Sequence, residues 1–428
     1  MVDKKIILLR KAKNIKKAAF ASDVLYCDPS KVYNVEKGIG RYSGPHIKLA
    51  KKFFDIEDMP LTAYECKHTY KRLYHILDYN RAERLDESKA ILDKLAKLVN
   101  LDPCDNKLPL LYRLFEVHYL LVTSQLDIAE EKLDYLQSRF DIMDAECQYY
   151  FYFDMGYLRS VQGRDKESLE HYNKALELTK SQKDFVPNDI ERLHTNIGAC
   201  YTNLAVPYRA ISYLKDIRER YVEVERVKFN LHSASLLATN YININELKVA
   251  EELLNECLVQ AESIGDGFYL GLTALSLGIL NVKTENWKIA LEHFDKSLTN
   301  FEEGTRHYLA TLYQKIRCLS RYKKFAEAKR LLEKSISLYG TYDVYGTLFE
   351  SLRHFIEVRC RISRYNQDSV KYLETVAIPH LKKTNAYFEA IDYYKLLALY
   401  YEKKNKRKSL SMSNAILDIY ERCFLLKY

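Results

Sequence analysis

A repeat of about 40 residues runs from residue 70 to the end of the chain and constrains its fold more than any other feature. A small residue recurs at this interval, at Ser88, Ala129, Ser168, Ala210, Ala250, Ala290, Ala328, Ser369 and Ser409. One helical turn later the chain has Leu92, Leu133, Tyr172, Leu214, Leu254, Phe294, Leu332, Leu373 and Ser413. Because of this spacing, each small residue shares a helix face with the residue that follows it, which is large in all but the last copy. The pattern predicts helices that pack closely on their neighbours.

A second helix precedes several of these positions. Gly198, Ala238 and Gly278 each precede an anchor at the same distance along the chain, and the segment 155–178 is the clearest copy of the whole unit. The pattern resembles the tetratricopeptide signature of Gly, Tyr and Ala, although its period is longer than the usual one of about 34 residues. HEAT repeats have a similar period but lack that signature. We therefore predict a tetratricopeptide-like α-solenoid of about nine helix pairs over residues 63–428.

Composition agrees with an all-α protein of the cytoplasm. Only 13 Gly and 8 Pro occur in 428 residues, too few for the turns of an all-β fold. No apolar run reaches the roughly 18 residues that span a bilayer, and the charged N-terminus does not resemble a signal peptide. The nine cysteines form no CxxC pair, which is typical of reduced thiols. We expect a cytoplasmic protein with no membrane partner.

The segment 1–59 carries most of the positive charge. Its net charge is +6, whereas the rest of the chain contributes only +2 to the total of +8. A small basic end on a nearly neutral chain favours a polyanion as its partner, and a merely solvated basic surface is the alternative.

A sharply bounded helix is predicted within this basic end, over residues 29–37. Asp28 suits its N-cap, Pro29 fits the first helical position, and Gly38 suits the left-handed residue beyond its end. Only Val32 and Val35 form its apolar side, so the polar donors of this helix face outward.

Residues 4–60 resemble the five-helix Cro/C1-type helix-turn-helix domain. Further helical stretches are predicted at 4–13, 15–21, 46–53 and 54–62. The matching residues are Ile6, Leu9, Arg10, Ile15, Phe20, Ala21, Val32, Val35, Glu36, Gly38, Leu49, Ala50 and Phe53. The chain departs from the family where Lys16-Lys17 replaces the usual Ser-Gln, and where one extra residue separates Ala21 from Glu36.

This resemblance implies a DNA-binding domain over residues 1–62. It implies an internal ion pair between Arg10 and Glu36, and it places the helix at 29–37 in the major groove of double-stranded DNA. Asn34 could pair with adenine, while the lysines would hold phosphates. The predicted DNA-binding residues are Lys17, Ser30, Lys31, Tyr33, Asn34, Lys37, Arg41 and Ser43.

A Cro-like domain followed by such repeats resembles the Rap, Rgg, NprR, PlcR and PrgX (RRNPP) family of cytosolic oligopeptide receptors. The resemblance implies a homodimeric quorum-sensing transcription regulator, with a short, secreted and re-imported peptide in the concave groove of residues 63–428. Asparagine is a weak helix former with both a donor and an acceptor, so asparagines on first helices suit a peptide backbone. The predicted peptide-binding residues are Asn196, Asn203, Asn240, Asn243, Asn281, Gln314, Arg317 and Arg321.

Two alternatives remain at this stage. A Rap-like protein would bind or inhibit a response regulator, with a vestigial or secondary DNA-binding head. An enzyme would need a catalytic constellation, but the sequence has no Gly-rich phosphate loop, HExxH or G-x-S-x-G motif. The eleven His show no metal-ligand spacing. We therefore predict no enzymatic activity, no cofactor and no metal.

Overall fold

The computed structural model describes residues 2–55, 63–81, 84–96, 107–181, 190–220, 227–336, 338, 343–360 and 367–425. These residues form helices and contain no strand. The chain divides into two compact units, one of residues 1–162 with 170–187 and the other of residues 163–169 with 188–428. This division does not test the predicted domain boundary at residue 62, which stays a prediction.

Four helices form the head at residues 2–55. They are α1 (Val2–Ala12), α2 (Lys17–Ala19, continued by a π-helix at Phe20–Leu25), α3 (Pro29–Glu36) and α4 (Gly44–Phe54). The Asp28 carboxylate accepts the Ser30 N–H at 2.8 Å, and Gly38 has a φ of +79°, so both ends of α3 are as predicted. Most of the predicted helix at 54–62 lies outside the described residues.

The π-helix explains where the extra residue goes. A π turn holds one residue more than an α turn, and Phe20, Ala21, Val24 and Leu25 all remain buried within it. Tyr26 ends the turn in a left-handed conformation with φ of +50°. The second helix therefore absorbs the insertion without losing its core face.

The core of the head differs from the expected pattern at one aromatic residue. The resemblance predicts that Phe53 is the buried aromatic residue of α4, but its side chain is 48% exposed. Phe54 is buried instead and stacks on Phe20, with ring centroids 5.7 Å apart. Successive residues of an α-helix point about 100° apart, so the two adjacent rings face different sides of α4 and Phe54 is the one that faces the core.

The repeats form nine helix pairs among the described residues, as predicted. The first four pairs are α5 (Ala63–Arg81) with α6 (Leu85–Leu95), α7 (Lys107–Val122) with α8 (Leu126–Gln137), α9 (Ala145–Val161) with α10 (Asp165–Ser181), and α11 (Ile190–Asn203) with α12 (Pro207–Arg220). The next three are α13 (Val227–Asn243) with α14 (Leu247–Ile264), α15 (Gly267–Lys283) with α16 (Trp287–Asn300), and α17 (Arg306–Arg321) with α18 (Phe325–Ile336). In the last two, α19 (Asp343–Cys360) pairs with α20 (Gln367–Tyr372) and α21 (Ile378–Lys383), which a π-helix at Leu373–Ala377 joins, and α22 (Tyr387–Tyr401) pairs with α23 (Lys406–Tyr420), which a π-helix at Glu421–Leu425 follows.

The repeated small and large residues build the contacts within these pairs. From Ser88 to Ser369, every small anchor is fully buried, and its large partner is at most 3% exposed. A Cβ at Gly278 would lie 2.5 Å from the Phe294 ring, so the glycine makes room for that ring. At the last pair, Ser413 replaces the large residue and is exposed. The predicted packing is confirmed from Ser88 to Ser369, and the irregular copy is the pair of α22 and α23.

The first helices of the later pairs in the second unit converge. Arg317 on α17 forms an ion pair with Asp392 on α22, two pairs further along the chain. Between them, Arg359 on α19 donates to the Ser320 carbonyl at 3.3 Å. Side chains on α17, α19 and α22 therefore face a common space, here called the inner face.

Candidate functional site

A buried ion pair fixes α3 in the head. The Nε of Arg10 lies 2.7 Å from a carboxylate oxygen of Glu36, and the two side chains are 8% and 6% exposed. Lys17 Nζ reaches the other carboxylate oxygen at 3.0 Å. Burial would raise the pKa of Glu36, but hydrogen bonds from Lys17 and Arg10 lower it below its usual value. The pair between α1 and α3 is thus present, and Glu36 has a structural role.

The outer face of α3 carries the predicted donors. Ser30 and Asn34 are exposed, and Lys31 is partly exposed. The side chains of Lys31 and Asn34 form no hydrogen bond or ion pair with a described residue. An asparagine presented in this way keeps both its amide donor and its carbonyl acceptor for a ligand.

Tyr33 is held between two of the predicted lysines. Lys17 Nζ lies 5.2 Å and Lys37 Nζ 4.6 Å from the centroid of its ring. The ring is 47% exposed. The Tyr33 ring therefore forms cation–π contacts with Lys17 of α2 and with Lys37, and it stays partly exposed on the surface of α3. Lys17 has a second role as the partner of Glu36.

The loop after α3 supplies the other predicted contacts. Arg41 is exposed, and its side chain forms no hydrogen bond or ion pair within the described residues. The Ser43 hydroxyl lies 2.9 Å from Nδ1 of His46, at the start of α4. Both positions lie on the surface of the basic head.

Two of the predicted asparagines are engaged within the second unit. Asn240 is 1% exposed and its amide donates to the Thr202 hydroxyl at 2.7 Å. Asn203 is exposed at the end of α11, and its amide donates to the Asp165 carboxylate at 2.9 Å. Asn240 therefore joins α13 to α11, which favours an inter-helix role for it over ligand binding.

The other three predicted asparagines are partly exposed. Asn281 donates to the Leu277 carbonyl in its own helix at 2.9 Å. The side chains of Asn196 and Asn243 form no hydrogen bond with a described residue. Their amide groups are therefore the ones that keep their hydrogen-bonding capacity for a ligand. Within the described part of the chain, no side-chain hydrogen bond joins one of these asparagines to another.

Gln314, Arg317 and Arg321 do come together, in one network on the inner face. Arg317 Nη1 donates to the Gln314 side chain at 3.0 Å and lies 3.4 Å from Glu389. Arg317 Nη2 lies 2.6 Å from Asp392, which also pairs with Arg321. Burial would raise the pKa of Asp392, but the two arginines lower it below its usual value.

The sequence argument missed the acidic side of this network. Asp392 lies in α22 among the buried residues Ala390, Ile391 and Tyr393. An acidic residue inside such an apolar segment is a signal for a paired, buried charge, since an unpaired one is costly.

Two side chains on α13 and α15 were also missed. His232 and Lys283 are exposed to solvent, yet burial lowers the pKa of each. Both lie on first helices, as expected of a groove.

Two features, a membrane-spanning helix and a group of metal-binding side chains, are absent from the residues that the structure describes. No helix there is long and apolar enough to cross a membrane. No group of three or more His, Cys, Asp or Glu side chains there could hold a metal ion.

The chain is similar in sequence to named regulatory proteins. No protein-family model matches it. The transcriptional activator NprA of Geobacillus stearothermophilus is 25% identical over 305 residues, which are 70% of this chain and 75% of NprA. The regulatory protein RapD of Bacillus subtilis is 27% identical over 245 residues, or 56% of this chain and 68% of RapD. The chain is thus similar to each of these regulatory proteins over more than half of its own length.

Solved structures share the fold. NprR in complex with its cognate peptide NprX has a TM-score of 0.67 at 19% identity and covers 82% of this chain and 99% of that chain. A Rap protein complexed with Competence and Sporulation Factor has a TM-score of 0.72 at 15% identity, covering 84% and 99%. The chain shares the helical-repeat fold of these structures, and this fold and the similarity to NprA and RapD agree with the resemblance to the RRNPP family.

Proposed function

We propose that this protein is a peptide-controlled transcription regulator that binds double-stranded DNA as a cytoplasmic homodimer. The observation that carries the proposal is the outer face of α3, where the side chains of Lys31 and Asn34 have no partner among the described residues, on a helix fixed by Glu36. The similarity to the transcriptional activator NprA supports it.

The DNA-binding part follows from the geometry of α3. A helix of this kind fits the major groove, and Asn34 can pair with adenine through its donor and acceptor. Lys37 and Arg41 lie beyond its C-terminal end on a basic surface. Contacts from such cations to phosphates set orientation and salt dependence but not base sequence.

The ligand-binding part rests on the repeats of the second unit. NprR forms a complex with its cognate peptide on the same fold. In this chain, the accessible amides of Asn196 and Asn243 and the inner-face network of Arg317 and Arg321 are the groups proposed to hold an oligopeptide. Asn240 is left out of this set because its side chain is buried between helices.

Control by the peptide follows from the mechanics of repeats. Each pair is buried by its neighbours, so a small change at each contact adds along the array. A peptide shifts the array only by its different affinity for two shapes. In a dimer, the two heads must match half-sites about 34 Å apart or a multiple of that distance, so a modest shift changes DNA affinity.

Substitutions on α3 test the DNA-binding part. The Lys31→Ala/Asn34→Ala protein should lose preference for its operator over shuffled DNA while it retains weak, salt-sensitive binding. Lys11→Ala, at an exposed lysine on α1, is the matched control and should keep the preference. Binding is measured by fluorescence anisotropy at several salt concentrations. An unchanged preference in the double variant would show that α3 does not read the bases.

The similarity to RapD favours a second candidate, the binding of a response regulator by the repeats. Deletion of residues 1–62 separates the two functions. Under the main proposal, the protein without residues 1–62 should lose DNA binding. It should retain binding to a response regulator under the second, as measured by co-purification from the source bacterium.

A further inference from the structure

The inner face holds more positive than negative charge. Arg317 and Arg321 share Asp392, and Arg317 also reaches Glu389. Arg359 donates its Nε to the Ser320 carbonyl. Its charge is therefore not paired by that contact, and the carboxylates of the network are already occupied.

Lys283 adds a further cation without a partner among the described residues. It is the last residue of α15, and its side chain forms no hydrogen bond or ion pair with any of them. Lys283 lies seven residues before its anchor Ala290, as Arg321 lies seven before Ala328, so the two hold equivalent positions on the successive first helices α15 and α17. The charged groups that act on Lys283 are Asp392, Arg321, Arg317 and Glu389. Burial lowers the pKa of its ammonium group, and the neighbouring arginines lower it further, while the two carboxylates oppose this.

A cation that lacks its own carboxylate and lies near two arginines gains from an added anion. Charged hydrogen bonds are stronger where solvent is partly excluded, and an unpaired charge there is costly. A carboxylate is the anionic group that a peptide of ordinary residues carries, at its C-terminus or on Asp and Glu side chains.

We infer that Lys283, supported by Arg321 and Arg359, binds a carboxylate of the peptide held on the inner face. The inference rests on the proposed peptide-receptor function and adds the chemistry that the ligand must have. The Asp392 carboxylate holds both Arg317 and Arg321 in place, and the Glu389 carboxylate also contacts Arg317.

Three synthetic heptapeptide libraries test the inference with the full chain. The first has free C-termini but no Asp or Glu, the second has Asp and Glu but amidated C-termini, and the third lacks every carboxylate. Peptides captured by the protein are counted by mass spectrometry. Wild-type protein should retain one or both of the first two libraries about tenfold better than the third, the scale of a hydrogen bond to a charged group. The retained library identifies the source of the carboxylate.

Variants assign the effect to Lys283. Lys283→Gln should lose the preference, and Lys283→Glu should favour peptides that contain Lys or Arg. Lys288→Gln, at an exposed lysine on the second helix α16, is the matched control and should keep the wild-type preference. Thermal unfolding checks that each variant is folded, which is expected because the Lys283 side chain forms no bond within the described residues.

Each outcome decides between the two proposals. Equal capture of all three libraries would overturn the inference and leave peptide binding intact. A preference that survives in both Lys283 variants would overturn the assignment to this lysine. Capture of no library would contradict the peptide-receptor function and the inference together.

Discussion

Removal of the Glu36 carboxylate should loosen the whole head. In Glu36→Ala, the Arg10 guanidinium, on a side chain that is 8% exposed, loses the oxygen that lies 2.7 Å from its Nε. Breaking a buried pair from one side costs about 3–5 kcal/mol, because the other charge is left without a counter-ion. Arg10 keeps the hydrogen bond that its Nη1 donates to the Ile15 carbonyl. Lys17→Ala removes only the 42% exposed partner at 3.0 Å, for which about 0–1 kcal/mol is expected.

Amide hydrogen exchange of the full chain measures this difference. Since each 1.4 kcal/mol is about a factor of ten, amides of α1–α4 should lose about two to four orders of magnitude of protection in Glu36→Ala. They should lose at most about a factor of ten in Lys17→Ala. Amides of α15 serve as the internal control and should be unchanged. Equal losses in the two variants would refute the claim that Arg10 depends on Glu36.

Acid should weaken the same contact. The pKa of Glu36 is lowered in the folded head, so its contribution is complete above the ordinary value of 4.5 and is lost as pH falls through the lowered pKa. Protection of α1–α4 should therefore decrease in acid. Glu36→Gln should remove this dependence, and a wild-type pH profile in that variant would contradict the assignment.

Three further changes probe the repeats. Gly278→Ala would place a Cβ 2.5 Å from the Phe294 ring and should lower the free energy of unfolding by about 1–3 kcal/mol, as measured by thermal unfolding. Gly267→Ala is the control and should not destabilise the protein, because its Cβ would lie 3.4 Å from its nearest neighbour, the Asn300 side chain. Burial raises the pKa of Asp165, so ionisation of this carboxyl destabilises the folded protein as pH rises. Asp165→Asn should therefore have a higher Tm than wild type at pH 7 and the same Tm as wild type near pH 4. Asn243→Ala should weaken peptide binding by about 1 kcal/mol or more in calorimetry, and no change would remove this residue from the site.

The sequence predicted the repeat fold well because packing in pairs follows from local spacing. Ser88 and Leu92 illustrate this, since a separation of four positions determines a shared face without knowledge of the rest of the chain. The bounds of α3 were predictable for the same reason, from the cap at Asp28 and the glycine at 38.

Features that depend on packing between distant segments were not predictable. The extra residue in the head could have lengthened a loop, but the π turn at Phe20–Leu25 absorbs it because four apolar side chains stay in the core. Likewise, only the angle between successive pairs decides whether an asparagine faces a groove or a neighbouring helix. Asn240 faces a helix, and the pairing of Arg317 with Asp392, 75 positions later, required the curvature of the array.

Capture of sheared genomic DNA from the source organism tests the central claim most directly. Purified full-length protein is incubated with the fragments at about 150 mM salt, with and without a short-peptide fraction from spent medium, and the retained DNA is sequenced. The account predicts a paired, two-fold symmetric motif whose half-sites are about 34 Å apart or a multiple of that, with retention that changes when peptide is added. Absence of any enriched motif under both conditions would contradict the account.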